Sequence, residues 1–220
     1  MKESAAAEVW YTQSTRLMEH DEAKINLLAR VARSSGSASG QSGQTVGPNG
    51  ASPGDLEKPV SILSLCAASY GARPSDEATV PTGFDPIAVA LFEAIVEGAF
   101  LVASADGVVD DDEKKTFERV VATACGGAVA PKQIHALVAD LEDQLKEDGL
   151  DRRIAAIAAP IYKKEHAREI LRIAALLAQT SEDVSAVERD VLSRIAKAAG
   201  LEEGAVDSAL SDVKAAIAAG

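Results

Sequence analysis

Carboxylates crowd two short stretches of an otherwise aliphatic chain. Asp106, Asp110, Asp111, Asp112 and Glu113 fall in one, and Glu182, Asp183 and Glu188 in the other. Carboxylate oxygens are the donors that hard divalent cations take. A helix N-terminus stabilises a neighbouring anion by about 0.3–1 kcal/mol, enough to offset one or two such charges. Five close together still repel, and a bound divalent metal ion would relieve that repulsion. The same residues have a second use. Asp110-Asp-Asp-Glu113 and Ser185-Ala-Val-Glu188 each place a short polar residue three positions before a glutamate, the spacing of a capping box. Each such cap is worth roughly 1 kcal/mol. Cation binding and capping therefore stand as alternative uses of Asp106, Asp110, Glu113, Asp183 and Glu188, the candidate metal ligands.

Other site chemistries lack their residues. No calcium-hand loop is present: it needs oxygen ligands at alternate positions, a central Gly and a glutamate at the twelfth, and Asp106-Gly107 stands alone. Di-iron bundles need Glu-x-x-His pairs, but Leu17, Lys132 and Lys163 precede His20, His135 and His166. The histidines are expected on the surface. There is no Gly-x-Ser-x-Gly elbow, Walker loop or HExxH, so no enzyme activity is expected. Cys125, in Thr-Ala-Cys-Gly-Gly, reads as a small buried apolar residue.

The elements that position the acids are helical. An apolar fraction of 47% with only 4% aromatics suits helices packed closely on small residues. The fold class is therefore all-α. Asp85 and Pro86 open a helix over about 85–105, with Ile87, Leu91, Ile95 and Val102 on one stripe and Phe92, Val96 and Ala99 on another. Only Glu93 and Glu97 break its apolar surface, so it is expected at the centre. Further helices are predicted over about 111–125, 131–147, 150–160, 163–179, 185–200 and 202–219, seven in all. A shift of 75 positions brings Val109 over Val184, Glu113 over Glu188, Phe117 over Leu192 and Val120 over Ile195. This reads as an internal repeat of one helix–turn–helix unit, with a pseudo-twofold axis bringing the acidic turns together.

Three regions follow: an N-terminal helix within 1–33, a flexible linker over 34–83 and the helical domain over 84–220. The first helix carries a thin stripe, Val9, Leu17, Leu28 and Val31, and docks through Trp10, Tyr11 and Leu17 or binds a partner. The linker is rich in Ser, Gly and Pro. It contains an apolar island, 60–70, whose length does not separate strand from helix.

Net charge is −12, and from Phe84 onward 25 acidic residues face 15 basic ones. Nucleic acid is disfavoured, since phosphate neutralisation needs Lys and Arg. Two cysteines without CxxC spacing fit a reducing compartment. An acidic N-terminus with no apolar run near ~18 residues leads to a cytoplasmic expectation, without membrane insertion.

Ala103-Ser-Ala-Asp-Gly-Val-Val-Asp-Asp-Asp-Glu113, with Val184-Ser-Ala-Val-Glu188 and Arg194-Ile-Ala-Lys-Ala-Ala-Gly-Leu201, resembles the tellurite-resistance TerB family over about 84–220. The resemblance implies a seven-helix, non-enzymatic domain of bacterial stress-response systems. It implies metal binding by acidic residues between helices and work with other stress-response proteins. Asp106 and Glu113 match the first-repeat positions and Glu188 the second. Ser181 stands where the second repeat would carry the counterpart of Asp106, with Glu182 or Asp183 as substitutes. The leading expectation is a cation-binding and protein-interaction module. The alternative is a metal-free adaptor that uses its acidic surface and N-terminal segment.

Overall fold

The computed structural model describes residues 22–34, 61–72, 85–107, 109–179 and 184–219, and among them every regular element is an α-helix. In chain order these are α1 (22–33), α2 (Ile62–Gly71), α3 (Pro86–Ala103), α4 (Asp111–Ala124), α5 (Pro131–Asp148), α6 (Leu150–Ala158), α7 (Lys164–Ala178), α8 (Ala186–Ala198) and α9 (Ala205–Ala218). The apolar island is thus helical, with Ser61 as its N-cap.

Helix ends follow local chemistry. The Asp85 carboxylate accepts from the amides of Ile87 and Ala88 at 2.9 and 3.3 Å, and Pro86 occupies the first turn, where its missing N–H costs nothing. Helix α8 closes with Gly200 N–H donating to Lys197 O and Leu201 N–H to Ala196 O, the paired bonds of a Schellman ending. The residues after it turn before α9 begins at Ala205, later than the sequence pattern predicts.

Helix α3 is the centre. It packs against α2, α5, α6, α7 and α8, and most closely against α7. Small residues permit that approach: a Cβ added at Gly98 would stand 3.0 Å from Ile170 Cγ2. Phe92, Ile95, Val96 and Val102 are fully buried. Ile87 departs from the predicted stripe and is 54% exposed, since it lies in the first turn, beside the cap. Among the described helices α3 alone is long and apolar enough to cross a bilayer, so the expectation of no such run is corrected. Two-thirds of it is buried within the fold, as in the core helix of a helical domain.

The first two helices belong to the same core. Ile25, Leu28, Ala29, Val31 and Ala32 of α1 and Leu63, Cys66, Ala67 and Tyr70 of α2 are buried with the aliphatic residues of α3, α4 and α7. Trp10, Tyr11 and Leu17, the expected anchors, lie outside the described residues. Tyr70 stacks on Phe92 with ring centroids 4.6 Å apart. The end of α2 runs so close to the α4–α5 turn that a Cβ at Gly71 would stand 1.7 Å from Ala128 O. Both cysteines are free and buried. Burial pushes the Cys66 thiol up to about 11, helped by Asp85 and Glu169, and the Cys125 thiol up to about 12.

Candidate functional site

The first acidic turn begins where α3 ends. Ser104 closes that helix, its Oγ and N–H both donating to Phe100 O. Asp106 and Gly107 follow on the surface, and Asp110 starts α4. Asp110 Oδ1 accepts from Asp112 N and Glu113 N at 2.9 and 2.8 Å. Glu113 Oε2 accepts the Asp110 amide at 3.0 Å, completing the box. Lys115 Nζ lies 3.1 Å from Asp112 Oδ1, and the hydrogen bond and charge of that aspartate raise the lysine's pKa.

The second turn repeats the cap. Ser185 Oγ accepts from Glu188 N at 3.2 Å, and Glu188 Oε2 accepts from Ser185 N at 2.7 Å. The cap residues have nearly the same backbone, φ −74°, ψ 168° at Asp110 and φ −66°, ψ 163° at Ser185. Their environments differ. Glu113 is exposed, whereas Glu188 is only 8% exposed. Helix α8 is enclosed by α3, α6, α7 and α9, while α4 lies at the edge of the bundle, chiefly on α5.

Of the predicted ligands, Asp110, Glu113 and Glu188 are engaged by caps, Asp106 is an exposed turn residue, and Asp183 lies outside the described residues with Ser181 and Glu182. Among the described residues, no three His, Cys, Asp or Glu side chains converge in a group that could hold a metal ion. The donor chemistry nonetheless suits a hard cation. Each cap glutamate spends one oxygen on a backbone amide, which leaves its second as a possible donor.

Residues 92–211, from within α3 to within α9, match the family model described as tellurite resistance protein TerB. The chain belongs to the TerB family. Both acidic turns lie inside the matched TerB span, while α1 and α2 lie outside it. No curated protein and no solved structure matches the chain.

Two buried ion pairs in this TerB protein went unnoticed in the sequence. Arg153 Nε donates to Glu97 Oε1 at 2.5 Å and its Nη1 to Asp148 at 3.1 Å, and Glu97 and Arg153 line an open cleft of about 380 Å³ between α3 and α6. Glu93, Pro160 and Tyr162 also line that cleft. Burial raises the pKa of the Glu97 carboxyl, outweighing the hydrogen bond and charge of Arg153. The second pair, Glu169 with Arg172, is two bonds within α7, at 2.8 and 3.0 Å. Its remaining guanidinium donors reach Val31 O at 3.0 Å and Ala32 O at 2.8 Å, at the end of α1. An i, i+3 spacing is the only sequence signal for it.

The histidines divide. His135 is exposed and lies 3.0 Å from Glu118, His20 is outside the described residues, and His166 is half-buried with Nδ1 shielded from solvent. The surface expectation is corrected for His166, which packs in the first turn of α7.

Proposed function

We propose that this TerB-family protein is a non-enzymatic module of a tellurite-resistance-like stress response that binds divalent cations and protein partners through its acidic inter-helix turns. The observation carrying this reading is the exposed 106–113 turn. There five carboxylates fall within residues 106–113 of the sequence, and only two of them, Asp110 and Glu113, serve the cap. Lys115 offsets Asp112, which leaves excess negative charge for a hard cation or a basic partner surface. The near-identical backbone at the Asp110 and Ser185 caps supports an internal repeat. On that basis the matched span is a two-fold arrangement of helix–turn–helix units within a seven-helix domain. Asp106, Glu113 and Glu188 are the leading ligands, with Asp110 and Asp183 behind them. The free, buried thiols suit a reducing cytoplasm.

The adaptor reading has its own support. Glu113 Oε2 and Glu188 Oε2 already hold backbone amides, so the caps are complete without an ion. The same experiment tests both. Thermal unfolding of the chelator-stripped full chain is measured with Ca²⁺, Mg²⁺, Mn²⁺ or Zn²⁺, for wild type, Asp106→Ala and Glu188→Ala. An ion at ~100 times its Kd adds about 2.7 kcal/mol. Stabilisation of wild type by one ion, lost in both variants, is the expected result. No response to any ion, with partner capture that survives EDTA and weakens with salt, overturns cation binding in favour of the adaptor.

A further inference from the structure

The cleft between α3 and α6 pairs a buried carboxylate with apolar walls. Ala90, Glu93, Ala94 and Glu97 lie on one face of α3 at i, i+3, i+4 and i+7, and all four line it. That stripe is about 10 Å long at 1.5 Å per residue. Opposite stand Arg153 and Ala156 of α6, with Ala159 and Tyr162 just beyond that helix. Four alanines leave the space between the helices, and its volume of about 380 Å³ is at the small end of ligand clefts.

Glu97 is the unusual group. Its side chain is only 7% exposed, and Oε1 accepts from Arg153 Nε. Oε2 has no hydrogen-bond donor among the described residues, yet it is not sealed from solvent. Arg153 is shared, since its Nη1 donates to Asp148. Burial raises the Glu97 carboxyl pKa most; Arg153 lowers it through its bond and charge, and Glu93 and Asp148 raise it further. The guanidinium thus leaves the buried carboxylate undercompensated. A cation that carries N–H donors complements such an oxygen.

The walls decide which cation. The acids lining the cleft are all described residues, and they form no group of three His, Cys, Asp or Glu that could hold a metal ion. A bare divalent ion therefore lacks ligands here. Alanine methyls on both sides suit an aliphatic stem. Tyr162, 75% exposed, offers a ring face to a charged nitrogen. An ammonium brings three donors, enough for Glu97 Oε2 and Glu93 together.

We propose that the α3–α6 cleft binds a primary alkylammonium group, its nitrogen donating to Glu97 Oε2 and Glu93 and its stem lying between the alanines of the two helices. A free aliphatic amine and a lysine side chain of another protein share this chemistry. The site is separate from the acidic turns and does not depend on the cation reading made there.

The test uses the full chain in EDTA at low ionic strength, with amide NMR spectra following n-butylamine, n-butanol and butyrate. Saturable shifts within 90–97 and 153–162 are expected with n-butylamine, and none with the other two. Glu97→Gln and Glu93→Gln are each expected to weaken binding about tenfold, as for loss of one hydrogen bond to a charged group. Ala156→Leu keeps every charge, fills the cleft and is expected to abolish the shifts. If Glu97→Gln does not fold, Glu93→Gln and Ala156→Leu decide. Nα-acetyl-lysine methylamide separates the sources: binding at least as tight as that of n-butylamine assigns the site to a protein lysine, and weaker binding to a free amine. No saturable shift with n-butylamine, an equal response to n-butanol, shifts centred on 106–113, or undiminished binding by Ala156→Leu overturns the proposal.

Discussion

The Ser185–Glu188 cap offers the sharpest separation of hydrogen bonding from charge. Glu188 is 8% exposed and its Oε2 accepts the Ser185 amide at 2.7 Å. Replacing it with alanine removes a hydrogen bond to a charged acceptor, about 1.5–3 kcal/mol, and leaves a part-buried N–H without a partner. Glutamine keeps an oxygen acceptor and loses only the charge, whose interaction with the helix N-terminus is about 0.3–1 kcal/mol. Glu188→Ala is therefore expected to lower stability by about 2–3 kcal/mol and Glu188→Gln by under about 1. Urea unfolding in EDTA, followed by far-UV circular dichroism, reads the difference. With a slope of roughly 2 kcal/mol per M, alanine moves the midpoint by about 1 M at unchanged slope. Glu113→Ala is the control: it makes the same bond in an exposed turn and is expected to cost about 1 kcal/mol. If glutamine costs as much as alanine, the charge and not the acceptor is what the fold uses. If Glu188→Ala costs no more than Glu113→Ala, the burial of α8 gives its cap no added weight, and the reasoning fails.

Two further outcomes follow from particular contacts. Gly71→Ala drives a Cβ into Ala128 O, so α2 must shift from the α4–α5 turn, and a loss of about 1–3 kcal/mol is expected in the same urea assay; unchanged stability would mean that this approach is loose. Hydrogen bonds from Lys114 and Lys146 hold the Glu142 carboxyl down to about 2, below its usual range. A depressed carboxyl pKa stabilises the fold above the unfolded value and loses that contribution as pH falls through about 4.5 to about 2. The pairs are partly exposed, so the contribution is on the order of 1 kcal/mol after solvent screening. Wild type should lose more stability than Glu142→Gln between pH 5 and about 2, and parallel curves would refute the linkage.

What could be read from the chain follows the range of the forces involved. Asp85-Pro86, Asp110 with Glu113, and Ser185 with Glu188 announce helix starts because a cap is satisfied within four residues, and each forms where its spacing predicts. The repeated capping box is legible for the same reason. The environment of the turn was not, since Glu113 and Glu188 share one local motif, and only the packing of α8 among four helices buries the second.

The role of α1 was hidden differently. Ile25, Leu28, Ala29 and Ala32 have helical i, i+3, i+4, i+7 spacing, but over an N-terminal helix expected within 1–33 the pattern is diluted by Val9 and Leu17, and alanines add little apolar weight. Glu169-x-x-Arg172 looks like an ordinary surface pair, worth a few tenths of a kcal/mol on a solvated helix. Its meaning depends on a segment about 140 residues earlier, because two of the guanidinium donors reach Val31 O and Ala32 O in α1. The contact therefore works in both directions. Arg172 donates to the Val31 and Ala32 carbonyls near the end of α1, the first of which also accepts from Ser34, and those carbonyls satisfy the donors that make burying Arg172 tolerable.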